Sequence, residues 1–113
     1  MSSITTHILD TALGRPAEGI AVTLSRLNSE GVAEPLSVAT TNADGRVDPM
    51  TPPGGLTADT YRLMFQTAPY FAAAGRESFY PSVEIAFHVA DPTQHYHVPL
   101  LLSPFGYSTY RGS

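Results

Sequence analysis

Ten prolines and nine glycines are spread along a chain of 113 residues. Proline removes a backbone donor and glycine weakens the interior of any regular element, so punctuation this dense favours short strands over long helices. "ITTHILD" is compact and β-branched, and "TALGRPAEG" after it is a turn-rich connector. In "IAVTLSRL" the residues Ile20, Val22, Leu24 and Arg26 share one parity and Ala21, Thr23, Ser25 and Leu27 the other, the period of a strand with one buried face. "PLSVATT", "TYRLMFQT", "SVEIAFHV", "HYHVPLLL" and "YSTYRG" are further strand candidates, and "NADGRVDP" is a turn on Asp-Gly leading into a short extended piece. Only "APYFAAAGRE" has helical composition, which predicts two or three turns inside Ala68–Gly75. Seven or eight short strands at spacings of about ten residues predict an all-β chain, an eight-stranded β-sandwich with one short helix.

The length fits a single domain over residues 1–113, and a domain of this size buries roughly 65% of its unfolded surface, enough for a core without staples. There is no cysteine, which excludes disulfides, thiol catalysis and thiolate metal sites together. The formal charge is −4 and the six basic residues are all arginine and scattered, a poor match to nucleic acid or an anionic membrane. "MSSITTHILD" has neither a basic n-region nor an apolar h-region, and no apolar run is long enough to span a bilayer, so a soluble, cytoplasmic protein is expected.

Candidate chemistry is sparse. "HYH" puts His95 and His97 on one strand face and Tyr96 on the other. Histidines so placed are most often solvated or satisfied in a core, and His-x-His with no third ligand is a weak zinc pattern. His7 in the first strand and Arg46 after the Asp-Gly turn are further candidates, but spacing alone brings neither next to His97. His88, inside the apolar "IAFHV", reads as structural. The last eight residues, "GYSTYRGS", carry two tyrosines, an arginine and two serine hydroxyls, a donor set expected to be docked against something.

Three blocks carry a resemblance. "THILDTALGRPA", "ADGR" and "HYHVPLLLSPFGYSTYRGS" resemble the signature regions of 5-hydroxyisourate hydrolases, the transthyretin-like enzymes of urate degradation, over almost the whole chain. The resemblance implies a transthyretin-like sandwich that opens 5-hydroxyisourate to 2-oxo-4-hydroxy-4-carboxy-5-ureidoimidazoline. It implies catalytic roles for His7, Arg46, His97 and Ser113, and substrate contacts from His7, Arg46, Tyr110, Arg111 and Gly112. It sets His95 outside the site, because the motif match falls on His97. It also implies a homotetramer, a dimer of dimers, to which the apolar run "VPLLLSPF" adds a motive, and a reaction needing neither metal nor other cofactor. The alternative is a small-ligand carrier of transthyretin type without catalysis.

Overall fold

The computed structural model describes residues 3–47, 50–52 and 54–113. Eight strands and one helix follow in the order β1 (Ile4–Asp10), β2 (Arg15–Pro16), β3 (Ala21–Leu27), β4 (Ala33–Thr40), β5 (Thr60–Phe65), α1 (Thr67–Ala73), β6 (Val83–His88), β7 (Tyr96–Ser103) and β8 (Gly106–Thr109). They form two four-stranded sheets, β2-β1-β7-β8 (sheet A) and β4-β3-β5-β6 (sheet B). All pairings are antiparallel except β1 with β7, which run parallel in the register Thr5↔His97 and His7↔Pro99.

The inner faces follow from alternation. In β1, Ile4, Thr6, Ile8 and Asp10 are buried while Thr5, His7 and Leu9 are only half covered. In β7, Tyr96, Val98, Leu100 and Leu102 point inward, leaving His97, Pro99, Leu101 and Ser103 to the outer face, although Pro99 is itself buried. Sheet B closes the core with Val22, Leu24, Tyr61, Leu63, Phe65 and Val83. Each large aliphatic or aromatic side chain taken out of water in this way contributes about 1.5–3 kcal/mol.

The helix starts at Thr67, one residue before the predicted range, and its end is built by Gly75. With φ 67° at Gly75, the Gly75 N–H reaches the Ala72 carbonyl at 3.0 Å and the Arg76 N–H reaches the Phe71 carbonyl at 2.9 Å, a Schellman closure. That reversal aims Arg76 back at sheet A. Its guanidinium donates to both oxygens of Asp10, at 2.7 and 3.3 Å, and the Tyr70 hydroxyl donates to the same carboxylate at 2.8 Å. Burial pushes the Asp10 carboxyl up. The bonds from Arg76, Tyr70 and the Leu13 N–H, with the Arg76 charge, outweigh that and hold it below the usual aspartate range.

The first connector and the piece after the Asp-Gly turn also differ from expectation. The "TALGRPAEG" connector contains the two-residue strand β2, because Leu9 and Asp10 pair with Pro16 and Arg15 across the turn. The extended piece after the Asp-Gly turn reduces to a single bridge at Arg46, and Asp48 and Pro49 lie outside the described residues.

Candidate active site

The outer face of sheet A collects the sequence-distant candidates. Thr5 and His97 are register partners across β1 and β7, and His7 is the partner of Pro99 one step along. Arg46 arrives from the turn over residues 42–46. The Asn42 side chain caps that turn, its Oδ1 accepting the Asp44 and Arg46 N–H groups at 2.9 and 3.0 Å. Gly45 then lies against β1, where its carbonyl takes the Ile8 N–H at 2.8 Å. Gly45 has φ 74°, and a Cβ there would fall 2.4 Å from the Ile8 carbonyl oxygen, so only glycine allows this approach. The result is a backbone bridge that sets Arg46 directly opposite His7.

The final residues cross the same face. The Gly112 N–H donates to the His97 carbonyl at 2.8 Å, and Ser113 joins Thr5, Arg46, His95 and His97 around a cleft of about 440 Å³. Tyr110 and Arg111 turn the other way. They line a smaller, apolar cleft of about 210 Å³ with Phe87, Tyr96 and Val98. There the Arg111 guanidinium lies 4.5 Å from the Tyr96 ring centroid and donates to Gln94 Oε1 at 3.0 Å. Within one chain, then, His7, Arg46, His97, Gly112 and Ser113 come together, and Tyr110 and Arg111 do not join them.

His97 is held by Thr5, whose Oγ1 lies 2.8 Å from His97 Nδ1. This leaves Nε2 as the ring nitrogen available to the cleft. Burial lowers the His97 pKa first, and the nearby charges of Arg46, His95 and His7 lower it further, against a small opposing contribution from Thr5. The imidazole is therefore neutral at pH 7, the state that accepts a proton. Arg46 supplies a permanent planar cation beside it. Among the described residues, no three His, Asp or Glu side chains gather as a metal-ligand set.

Residues 4–112 match the HIUase/Transthyretin family. The chain belongs to that family. Within it, the chain is 52% identical to 5-hydroxyisourate hydrolase 2 of Rhizobium meliloti (strain 1021), covering 97% of this chain and 95% of that one. The solved 5-hydroxyisourate hydrolase of Klebsiella pneumoniae is 44% identical and superposes with a TM-score of 0.86, over 99% of this chain and all of that one. Sea bream transthyretin in complex with thyroxine superposes with a TM-score of 0.88 at 30% identity, over 97% of this chain and 94% of that one. The family fold is thus common to hydrolase and carrier.

The resemblance sets His95 outside the site, yet its ring lines the cleft and is hydrogen-bonded through Nε2 to Thr5 Oγ1 at 3.0 Å. The parity of "HYH" already placed it on the His97 face. The missing signal was the β1–β7 register that puts a hydroxyl between the two rings. His88 is exposed on edge strand β6, paired with Thr60 at 2.9 Å, and far from buried. No helix among the described residues is long and apolar enough to cross a membrane.

Proposed function

We propose that this chain hydrolyses 5-hydroxyisourate to 2-oxo-4-hydroxy-4-carboxy-5-ureidoimidazoline, using the cleft on the outer face of sheet A. The observation that carries the reading is the meeting of His7, Arg46, His97 and Ser113 from three separate stretches of chain on one surface. Ring opening at an amide-type bond needs a base for water, a stabiliser for the oxyanion and a proton for the leaving nitrogen. His97, neutral at pH 7, takes the water proton at Nε2 as the water oxygen bonds to the carbonyl carbon. Arg46 faces the oxygen as it becomes negative and holds the planar substrate by its forked donors. His7, beside Arg46, positions the ring and can return a proton, and Ser113 closes the far wall. Gly112 keeps the tail in contact with His97. Tyr110 and Arg111 act as substrate contacts only where another copy of the chain brings them to the cleft.

The hydrolase reading is favoured over the carrier by identity, 52% and 44% to the two hydrolases against 30% to the thyroxine-bound transthyretin. The site agrees with it. A carrier's channel would be lined by apolar and lysine side chains, whereas this chain has no lysine and the cleft holds two histidines and an arginine.

A cytoplasmic homotetramer is part of the proposal. Val98, Leu100 and Leu102 of the run "VPLLLSPF" are core, but Phe105 is 65% exposed and Tyr110 58%. Apolar surface of this kind on a small sandwich is best accounted for by contacts between copies.

The test is the ultraviolet decay of freshly generated 5-hydroxyisourate with and without protein. The parent should accelerate it, His97→Ala should lower kcat by about 10²- to 10⁴-fold, and His88→Asn should match the parent. Decay at the uncatalysed rate with folded parent protein would sink the reading. Light scattering checks the assembly, where a species of 12.1 kDa alone would reject the tetramer.

A further inference from the structure

Ser3, His95, Thr5 and His97 form one unbroken hydrogen-bonded row along the outer face of sheet A. Ser3 Oγ lies 2.8 Å from His95 Nδ1, Thr5 Oγ1 lies 3.0 Å from His95 Nε2, and the same Thr5 oxygen lies 2.8 Å from His97 Nδ1. Strand register explains the row. Thr5 pairs with His97 and Ile4 with Tyr96 in the parallel β1–β7 ladder, and the Ser3 carbonyl takes the Tyr96 N–H at 2.9 Å. The two hydroxyls of one strand therefore run in step with the two imidazoles of the other.

A threonine hydroxyl has one proton, so Thr5 cannot donate to both rings and one ring must donate to it. Of the arrangements that satisfy every contact, two pass the donors in a single direction along the row. In the first, His97 donates from Nδ1 to Thr5, Thr5 donates to His95 Nε2, and His95 donates from Nδ1 to Ser3, which leaves His97 Nε2 bare. In the second every bond is reversed, and His97 Nε2 carries a proton. The heavy atoms are the same in both, and the two differ only in where the protons sit.

We infer that Thr5 relays protons between the two histidines and that His95 stores the proton His97 takes from the attacking water. The inference rests on the proposed hydrolysis. In the step, a water O–H bond breaks as its oxygen bonds to the carbonyl carbon, and the proton goes to His97 Nε2. The His97 Nδ1 proton passes to Thr5 Oγ1 while the Thr5 hydroxyl proton passes to His95 Nε2. His97 is then neutral with its proton on Nε2, and His95 is an imidazolium donating to both Thr5 and Ser3. When the ring C–N bond breaks, His97 Nε2 protonates the leaving nitrogen and the stored proton returns through Thr5. No proton is gained or lost over the cycle.

The advantage is electrostatic. The groups that face His97 are Arg46 from the 42–46 turn, His7 from β1 and His95 from the approach to β7. Arg111, from the tail, reaches the His95 carbonyl at 3.4 Å. A proton held on His97 would sit beside Arg46 throughout the reaction. Moving the charge one ring along lessens that repulsion and leaves Arg46 free to serve the oxyanion.

The test combines kinetics with nitrogen-15 spectroscopy of the histidine rings in the full chain. Thr5→Val keeps the shape and removes the hydroxyl, Thr5→Ser restores it, and His95→Gln removes the store. Thr5→Val and His95→Gln should each lower kcat by about tenfold or more, short of the loss in His97→Ala, with KM near the parent. Thr5→Ser should recover most of the rate. The double variant should be no slower than the slower single, because both changes break one path. Without any substrate, His95→Gln should shift the His97 ring-nitrogen signals strongly when Thr5 is present and far less in the Thr5→Val background, where only the direct electrostatic effect of His95 remains. Losses that multiply independently, a serine variant as slow as the valine one, or His97 signals indifferent to His95 with Thr5 in place would each overturn the relay. The spectroscopic arm needs no turnover. Inactive parent protein would count against the hydrolysis, and ring coupling would still be measured. Should Thr5→Val fail to fold, Thr5→Ser and His95→Gln still decide the matter, since the ring-nitrogen shift is read in the Thr5-containing protein.

Discussion

Gly112 lies flat against the imidazole of His97, so close that a Cβ on it would fall 2.6 Å from His97 Cδ2 and 3.3 Å from Pro99 Cγ. The Gly112 N–H also ties down the His97 carbonyl. The ring and the tail therefore position each other, and a methyl group between them must displace one. Gly112→Ala should cost about 10²-fold in kcat, the scale of a misplacement near 1 Å. The melting temperature should hardly move, because the strain can be relieved by the tail lifting away. A variant that keeps parent kcat would show that the tail's contact with His97 is irrelevant to turnover.

The lowered His97 pKa predicts the acid limb of kcat/KM. Burial is the largest cause, with the charges of Arg46, His95 and His7 behind it, so the limb should lie below the ordinary imidazole range. Arg46→Gln removes the permanent positive charge beside the ring, and the His97 titration followed by proton magnetic resonance should then move toward higher pH. The shift should be partial, since burial stays. For stability the sign is that of a base whose folded pKa is depressed. The unfolded chain binds the proton first as pH falls through the ordinary histidine value, so this group withdraws stability below that point. A His97 titration above the ordinary range would refute the argument.

Asp10 predicts the behaviour in stronger acid. Its side chain is fully buried against Arg76, whose own is 20% exposed, and its folded pKa is lowered. Such a group stabilises the fold at pH above its unfolded value. That stability is lost as pH falls through the ordinary aspartate value toward the folded one. Asp10→Asn should destabilise by about 3–5 kcal/mol at neutral pH, because it leaves the Arg76 charge in place without its partner. It should also flatten the stability curve across the acid range. Urea unfolding of parent and variant at several pH values measures both, and parallel curves would remove Asp10 as the source.

The strands were legible where one face is buried, as in β3 and the residue before it, where the Ile20–Val22–Leu24 parity survives in the core. β4 was harder to bound. Pro35 sits in this edge strand next to a bulge, where the register shifts between Leu24 and Ser25 and leaves Leu36 without a partner, so the strand begins before the proline that had marked its start. β2 has no sequence signature, being two residues captured by a turn. The Asp10–Arg76 pair spans 66 positions and depends on how α1 ends, which no local pattern reports. The site divides the same way. Each motif could be read singly, and the three-block resemblance named them as a set. The roles of Thr5 and His95 depend on a parallel pairing between residues about ninety apart, and become visible only once β1 lies beside β7.

Gly45 offers the sharpest test that Arg46 is delivered by backbone geometry. The turn from Asn42 must pass over β1 with φ 74° and with its α-carbon against the Ile8 carbonyl. Gly45→Ala forces a non-glycine residue into the left-handed region, at about 1–3 kcal/mol. It also pushes the turn off β1, because a Cβ 2.4 Å from a backbone oxygen can be relieved only by moving backbone. The bridge between His7 and Arg46 should open and the guanidinium should leave the cleft. The melting temperature should fall, and kcat should fall toward that of Arg46→Gln although the arginine is still present. Ala43→Gly, in the same turn but at an exposed position, should leave activity near the parent. If Gly45→Ala is destabilised yet turns over like the parent well below its melting temperature, Arg46 does not owe its position to this turn.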